Sequence, residues 1–240
     1  MLASGSTRLL VDAGLSRRET FERLASSGTD PATLTAILVT HEHSDHVAGL
    51  AAIAQKLDIP VYVSRLTAAC LDFGDYIPKL ELFQAGSSFS IGGIDVTSFT
   101  IPHDAADPVG FSFRAEGVKI SVATDLGYLP DSVRFQLRGS DALLLESNHD
   151  LEMLKVGPYP WAVKQRVMGR MGHLSNEVAC GFVREDLDTR TSTLILGHLS
   201  EHNNHPEIVR LMGSQALDGR SLFTRLLIAE PGRALEQIVY

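Results

Sequence analysis

The chain has 240 residues, 44% of them hydrophobic, and a formal net charge of −8 from 21 basic and 29 acidic side chains. That length and apolar share suit one large globular domain, 1–240, with a substantial core, and no apolar run approaches the roughly 18 residues that a membrane span needs. The acidic balance disfavours broad, sequence-independent attraction to nucleic acid, which runs on Lys and Arg at phosphates, although bound dications or a local basic patch can invert the field at one face.

The first segment, Arg8 to Asp12, reads as a buried strand ending in the turn Ala13-Gly14, and 17–27 as a surface helix stopped by Gly28. Asp30-Pro31 turns the chain into the apolar strand 36–39, which runs directly into Thr40-His41-Glu42-His43-Ser44-Asp45-His46. A helix is expected over 46–56, then a short strand 61–63 and a helix 65–72. The middle is strand-rich: 80–82, 88–91, 94–99, 110–114 and 119–123, separated by turns such as Gly92-Gly93 and Glu116-Gly117. Beyond it the pattern predicts helices over 130–137, 150–155, 160–170, 175–185 and 206–217. Strands are expected over 142–145, 193–196, 222–228 and 234–239. Cys70 and Cys180 lie far apart in no metal-type pairing, which argues against a disulfide framework. The first residues show no basic region followed by an apolar stretch. A cytoplasmic enzyme is the expectation.

Residues 40–46 carry the chemistry. Three imidazoles and a carboxylate within six residues offer the nitrogen and oxygen donors that zinc and similar ions accept. A strand running into a tight loop can throw His41 and His43 to one side, and the following helix can present Asp45 and His46 to a second ion. A polar turn that happens to contain histidine is the bland alternative, and the spacing weighs against it. His103, Asp125 and His198 each follow a predicted strand, the usual place for functional side chains in layered α/β folds. Singly, each would be read as a hydrogen-bonded turn residue; together with the histidine loop they read as further ligands.

In this order, Asp12, the His-x-His-x-Asp-His loop, His103, Asp125 and His198 resemble the successive motifs of the metallo-β-lactamase superfamily. The resemblance covers nearly the whole chain. It implies an αββα four-layer sandwich, two mixed sheets flanked by helices, with a dinuclear metal site. His41, His43 and His103 would hold the first ion, and Asp45, His46 and His198 the second. Asp125 would bridge both, and Asp12 would support the site from outside the ligand set. The resemblance also implies two divalent ions, zinc first, with manganese or iron as alternatives. Their shared hydroxide would be the nucleophile, with Asp45 counted among the catalytic residues.

Gly172-His173-Leu174-Ser175-Asn176-Glu177 reads as a helix entry, with Ser175 or Asn176 as cap and Glu177 complementing the dipole. It also resembles the Gly-His-Ser type element of phosphodiesterase branches such as tRNase Z and PhnP, which makes His173 the expected proton donor to a leaving alkoxide. Glu146-Ser147-Asn148-His149-Asp150, Gly157-Pro158-Tyr159-Pro160 and the stretch from Leu196 to Asn204 resemble the YycJ/WalJ-type group, regarded as DNA-directed exonucleases. The N-terminus departs from that group by lacking an extra strand before Leu10-Val11-Asp12, which puts one edge of the first sheet in doubt. His149 is a candidate for substrate-phosphate or metal-site support, or else a loop residue beside a helix cap. Lys155, Lys164, Arg166 and Arg170, near Tyr159 and Trp161, suit either a phosphate-and-base platform or an ordinary solvated basic face. His202 and His205 read as solvated surface, Asp104 and Asp107 as loop acids.

The expectation is therefore a metal-dependent phosphodiesterase acting on nucleic acid, with DNA and an exonuclease mode foremost, and no membrane partner. The alternative is a hydrolase of a small thioester, lactone or cyclic phosphodiester using the same ions. A DNA-associated binding module that keeps the metal site without turnover is a third reading, disfavoured by the completeness of the ligand set.

Overall fold

The computed structural model describes residues 1–218, 220 and 223–240. Its strands fall into two mixed sheets flanked by helices, the α/β class that the sequence predicts. The chain divides into two compact units, each threaded from separate stretches: Met1–Thr100, Ala105–Glu116 and Glu236–Tyr240 in the first, Ile101–Asp104 and Gly117–Leu235 in the second. Among the described residues no helix is long and apolar enough to cross a membrane.

The first unit opens with β1 (Leu2–Ser4) and β2 (Thr7–Val11), an antiparallel pair. β1 is a short edge strand that the sequence pattern did not foretell. Next come α1 (Arg17–Ser26), β3 (Ala36–Leu38), α2 (Ser44–Val47), α3 (Leu50–Leu57), β4 (Val61–Ser64), α4 (Arg65–Ala68) and β5 (Leu80–Phe83). The sheet runs β1-β2-β3-β4-β5, parallel from β2 onward. Every residue of β3, and Val39 after it, is fully buried, the near-continuous apolar run of a parallel strand covered on both faces. α3 places Leu50, Ile53 and Ala54 in the same core as Ile37, Val39, Val61 and Val63. The rest of the unit is an antiparallel meander, β6 (Ser88–Ile91), β7 (Ile94–Thr100) and β8 (Val109–Ala115).

The second unit contains β9 (Val118–Ala123), α5 (Asp131–Leu137), β10 (Ala142–Glu146), α6 (Leu151–Val156), α7 (Trp161–Val167), α8 (Asn176–Glu185), β11 (Thr193–Gly197), α9 (Pro206–Leu217) and β12 (Arg225–Ile228). The four strands are parallel in the order β12-β11-β10-β9. Leu143, Leu145, Leu194 and Leu196 are buried from the sheet, Ala179, Phe182 and Val183 from α8, and Val209 from α9.

Several boundaries differ from expectation. The helix predicted over 46–56 is two helices, because the chain must turn at Ala48-Gly49, where Gly49 packs so close to the Leu15 carbonyl that a Cβ there would lie 2.0 Å from its oxygen. The helices expected over 65–72 and 160–170 end early, at Ala68 and Val167. No strand forms over 234–239, whose residues are half-buried or exposed and carry no sheet pairing. Of the strand expected over 222–228, Leu222 lies outside the described residues and pairing begins at Arg225.

Candidate active site

The first unit builds a cluster of candidate donors around one loop and one aspartate. Asp12 follows β2 with φ +57°, in the left-handed region, a conformation that costs roughly 1–3 kcal/mol unless the surroundings impose it. Here they do. The Asp12 N–H donates to the Leu38 carbonyl at 2.8 Å. Its carboxylate accepts from the Thr40 N–H at 2.8 Å, the Thr40 hydroxyl at 2.9 Å and His46 Nδ1 at 2.8 Å. Gly14 lets the loop come close: a Cβ there would lie 1.6 Å from the Asp45 carbonyl oxygen. Only a residue without a side chain fits.

The loop's imidazoles are clustered. His41 and His43 have ring centroids 4.6 Å apart in an edge arrangement, and His41 and His46 lie 4.1 Å apart. His41 and His46 are buried, whereas Asp45 at the start of α2 is exposed. Nδ1 of His46 engages Asp12, and Nδ1 of His41 lies 3.0 Å from the Thr40 hydroxyl. A metal-binding histidine is oriented in this way, with one nitrogen on a carboxylate or hydroxyl and the other turned toward the ion. Asp12 thus fixes the orientation of the His46 ring and of Thr40.

The second unit gathers a cluster of its own from distant segments. β9, β10 and β11 are parallel and in register, with Leu145 opposite both Ala123 and Leu196, and Glu146 opposite Gly197. Their C-terminal ends therefore deliver Asp125, Glu146 and His198 to one edge, where functional groups of parallel sheets collect. Asp125 and His198 adopt φ +61° and +56°. Asp125 Oδ1 lies 4.0 Å from His103 Nε2 and 3.5 Å from His198 Nε2. Two donors bound tetrahedrally to one zinc stand roughly 3.3 Å apart, so these separations suit ligands of a shared ion. His103 is 1% exposed, and its Nδ1 lies 3.1 Å from the Gly172 carbonyl. Burial lowers its pKa, against the pull of Asp125, which keeps the ring in the neutral form that binds metal.

Glu146 is the centre of this half, and the sequence reading did not single it out. Its carboxylate is fully buried. Oε1 accepts from His173 Nδ1 and His198 Nδ1, both at 2.8 Å, and Oε2 from the Leu126 and Leu174 N–H groups, both at 3.0 Å. Removing an ion from water costs several kcal/mol, while each hydrogen bond to a charged group contributes roughly 1.5–3 kcal/mol. Four such bonds win. Burial pushes Glu146 up, but the two imidazoles outweigh it and hold the carboxyl at about 2. Donor atoms of Asp125, Glu146, His173 and His198 all lie within 4.8 Å of one another. The signal that could have found Glu146 was its place as an acid closing a buried apolar strand.

His173 sits at the entry of α8, with Ser175 as the N-cap accepting from the Val178 N–H. Its ring stands 5.2 Å from that of His103 and 5.5 Å from that of His198. Burial lowers its pKa, but Glu146 and Asp125 more than reverse this, so it stays protonated to higher pH than an ordinary histidine. His149 is buried beside Ser175, and its Nδ1 has no hydrogen-bond partner. Burial drops its pKa to about 4. It is not one of the clustered donors of this unit.

In the basic segment Lys155, Arg166 and Arg170 are exposed, yet each has a partner. Lys164 is buried and donates to the Lys155 carbonyl, Lys155 pairs with Glu152, and Arg166 pairs with Asp104. Arg170 stacks over Tyr128 at 4.1 Å. Asp104 is thus more than a loop acid, since it also lies 3.6 Å from His103 Nε2. His205, expected at the solvated surface, is exposed but also caps α9 through the Glu207 N–H.

Comparison with known proteins agrees with this chemistry. A Beta-lactamase superfamily domain model matches residues 7–199. Exodeoxyribonuclease YycJ of Bacillus anthracis is 38% identical over 91% of this chain and 88% of its own length. Exodeoxyribonuclease WalJ of Streptococcus pneumoniae is 36% identical over 88% and 80%. The metallo-β-lactamase fold protein YhfI from Bacillus subtilis superposes with a TM-score of 0.71 at 20% identity, covering 96% of this chain and 88% of the other. Imidazole and carboxylate donors oriented by their neighbours fit the divalent ions on which such a fold depends. On sequence, fold and donor chemistry together, the chain belongs to the metallo-β-lactamase superfamily of metal-dependent hydrolases.

Proposed function

We propose that this protein is a metal-dependent phosphodiesterase whose substrate is nucleic acid, with DNA and an exonuclease mode foremost. The reading carries His41, His43 and His103 to one divalent ion, and Asp45, His46 and His198 to a second, with Asp125 serving both. Zinc is the first choice for so nitrogen-rich a set, and manganese or iron would also be accepted. When bound, such ions supply Lewis acidity, which activates water and neutralises charge on phosphoryl oxygens.

One observation carries the phosphodiester assignment: Glu146 holds His173 on the same carboxylate oxygen as His198. A protonated imidazole is thereby fixed beside a metal-type histidine. With Nδ1 committed to Glu146, His173 donates from Nε2 to the departing oxygen. An alkoxide needs that proton, whereas a stabilised thiolate does not. Asp12 keeps His46 oriented through Nδ1. The 36–38% identity to two proteins named as exodeoxyribonucleases supports DNA as the polymer.

The test is hydrolysis of bis(p-nitrophenyl) phosphate and of single- and double-stranded DNA labelled at either end, with zinc and with manganese. The expected result is cleavage of both substrate types. His173→Ala should depress DNA cleavage by roughly 100-fold or more while sparing the aryl diester, whose leaving group needs little protonation. Hydrolysis of thioesters or lactones with no diester cleavage in any metal would replace this reading with the small-substrate one.

A further inference from the structure

The structure assigns a positioning role to a buried amide network that holds His198 in ligand geometry, with Asn148 and Asn204 as its working members; this rests on the proposed metal role of His198. The three segments that carry Glu146, His173 and His198 each contribute one or more small polar residues just after the functional one: Ser147 and Asn148, Asn176, and Asn204. All four are buried. Asn204 Nδ2 lies 2.9 Å from the carbonyl of Ser147, 2.9 Å from that of Asn148 and 3.0 Å from Asn176 Oδ1. Asn176 Nδ2 donates back to Asn204 Oδ1 at 2.9 Å, and the Ser147 hydroxyl donates to Asn176 Oδ1 at 2.7 Å. Asn148 Nδ2 then donates to the carbonyl of His198 at 2.8 Å.

The last bond is the informative one. His198 holds a left-handed backbone at φ +56°, which a non-glycine residue keeps only when its surroundings impose it. Asn148 grips its carbonyl, while Glu146 grips its ring. Burying four amide and hydroxyl groups is costly unless each is satisfied, and an apolar packing would have filled this space more simply. The network instead ties the carbonyls of Ser147, Asn148 and His198 to one another. It therefore controls where His198 Nε2 points.

The experiment compares the wild type with Asn148→Leu, which keeps volume and deletes the donor, and with Asn204→Ala, which releases the carbonyls of Ser147 and Asn148 from the other end. Zinc affinity is read by competition with a chelator, folding by thermal midpoint, and turnover as separate kcat and KM on bis(p-nitrophenyl) phosphate. We expect the affinity of one metal step to fall roughly 10–100-fold, the size seen when a supporting partner of a metal ligand is lost. kcat should fall with it and KM should stay within about threefold. A lowered thermal midpoint with unchanged zinc affinity would show mere packing and overturn the assignment, as would wild-type kcat in both variants. If the wild type cleaves no diester, the phosphodiesterase reading falls, and zinc affinity in the two variants still decides this one.

Discussion

The two units assemble their donor clusters by opposite routes. In the first, His41, His43, Asp45 and His46 lie within one short stretch of loop and helix, and a single carboxylate, Asp12, orients it. In the second, His103, Asp125, His173 and His198 come from four segments, and Glu146 at the end of a parallel strand fastens His173 and His198. A loop of ligands needs a glycine and one anchor to set its shape. Donors scattered from His103 to His198 need a sheet in register and a shared acceptor. The first arrangement is local and tolerates change elsewhere, whereas the second fails as a unit.

The sharpest way to break this contrast is Glu146→Gln. An amide in place of the buried carboxylate loses the charge that both imidazoles pair with, and breaking such a buried pair costs roughly 3–5 kcal/mol. Diester hydrolysis should fall below detection, and urea unfolding should shift accordingly. The carboxyl is depressed to about 2 from an ordinary value of 4.5. Its contribution is therefore fully present above pH 4.5 and disappears as pH falls toward 2. Chelator-treated wild type should lose stability across that window more steeply than Glu146→Gln, and parallel curves would refute the hub.

Asp12→Asn is the matching change in the first unit and should do less. The amide keeps one acceptor for Thr40 but no longer offers charge to His46 Nδ1, so zinc affinity should drop roughly 10–100-fold with the fold retained. Circular dichroism and chelator competition together check this; unfolding comparable to that of Glu146→Gln would erase the distinction between the halves. The smallest effect concerns the two cysteines. Cys70 in the first unit is exposed, while Cys180 on α8 is buried with its thiol pushed up to about 11 by desolvation. A thiol reagent at neutral pH should label Cys70 alone in native protein and both after denaturation.

Sequence by itself determined the elements whose information is local. The apolar run 36–39 and the histidines after it were readable because a buried parallel strand and a clustered donor loop each leave a contiguous mark. His103, Asp125 and His198 were legible as strand-end residues matching a family order, and Asp12 was legible in the same way. Glu146 was not, because one acid at the end of an apolar strand looks like any other until register places it against Gly197 and the next residue proves to be His198. Nor could sequence reveal that Asn148, Asn176 and Asn204 meet, since the nearest two are 28 positions apart. The partners of the basic segment were hidden for a related reason: charge in a sequence says nothing of partners, and Lys164 and Arg166 found theirs in the fold. Spacing along the chain carries donor chemistry, whereas orientation of those donors depends on hydrogen bonds between segments that only folding brings together.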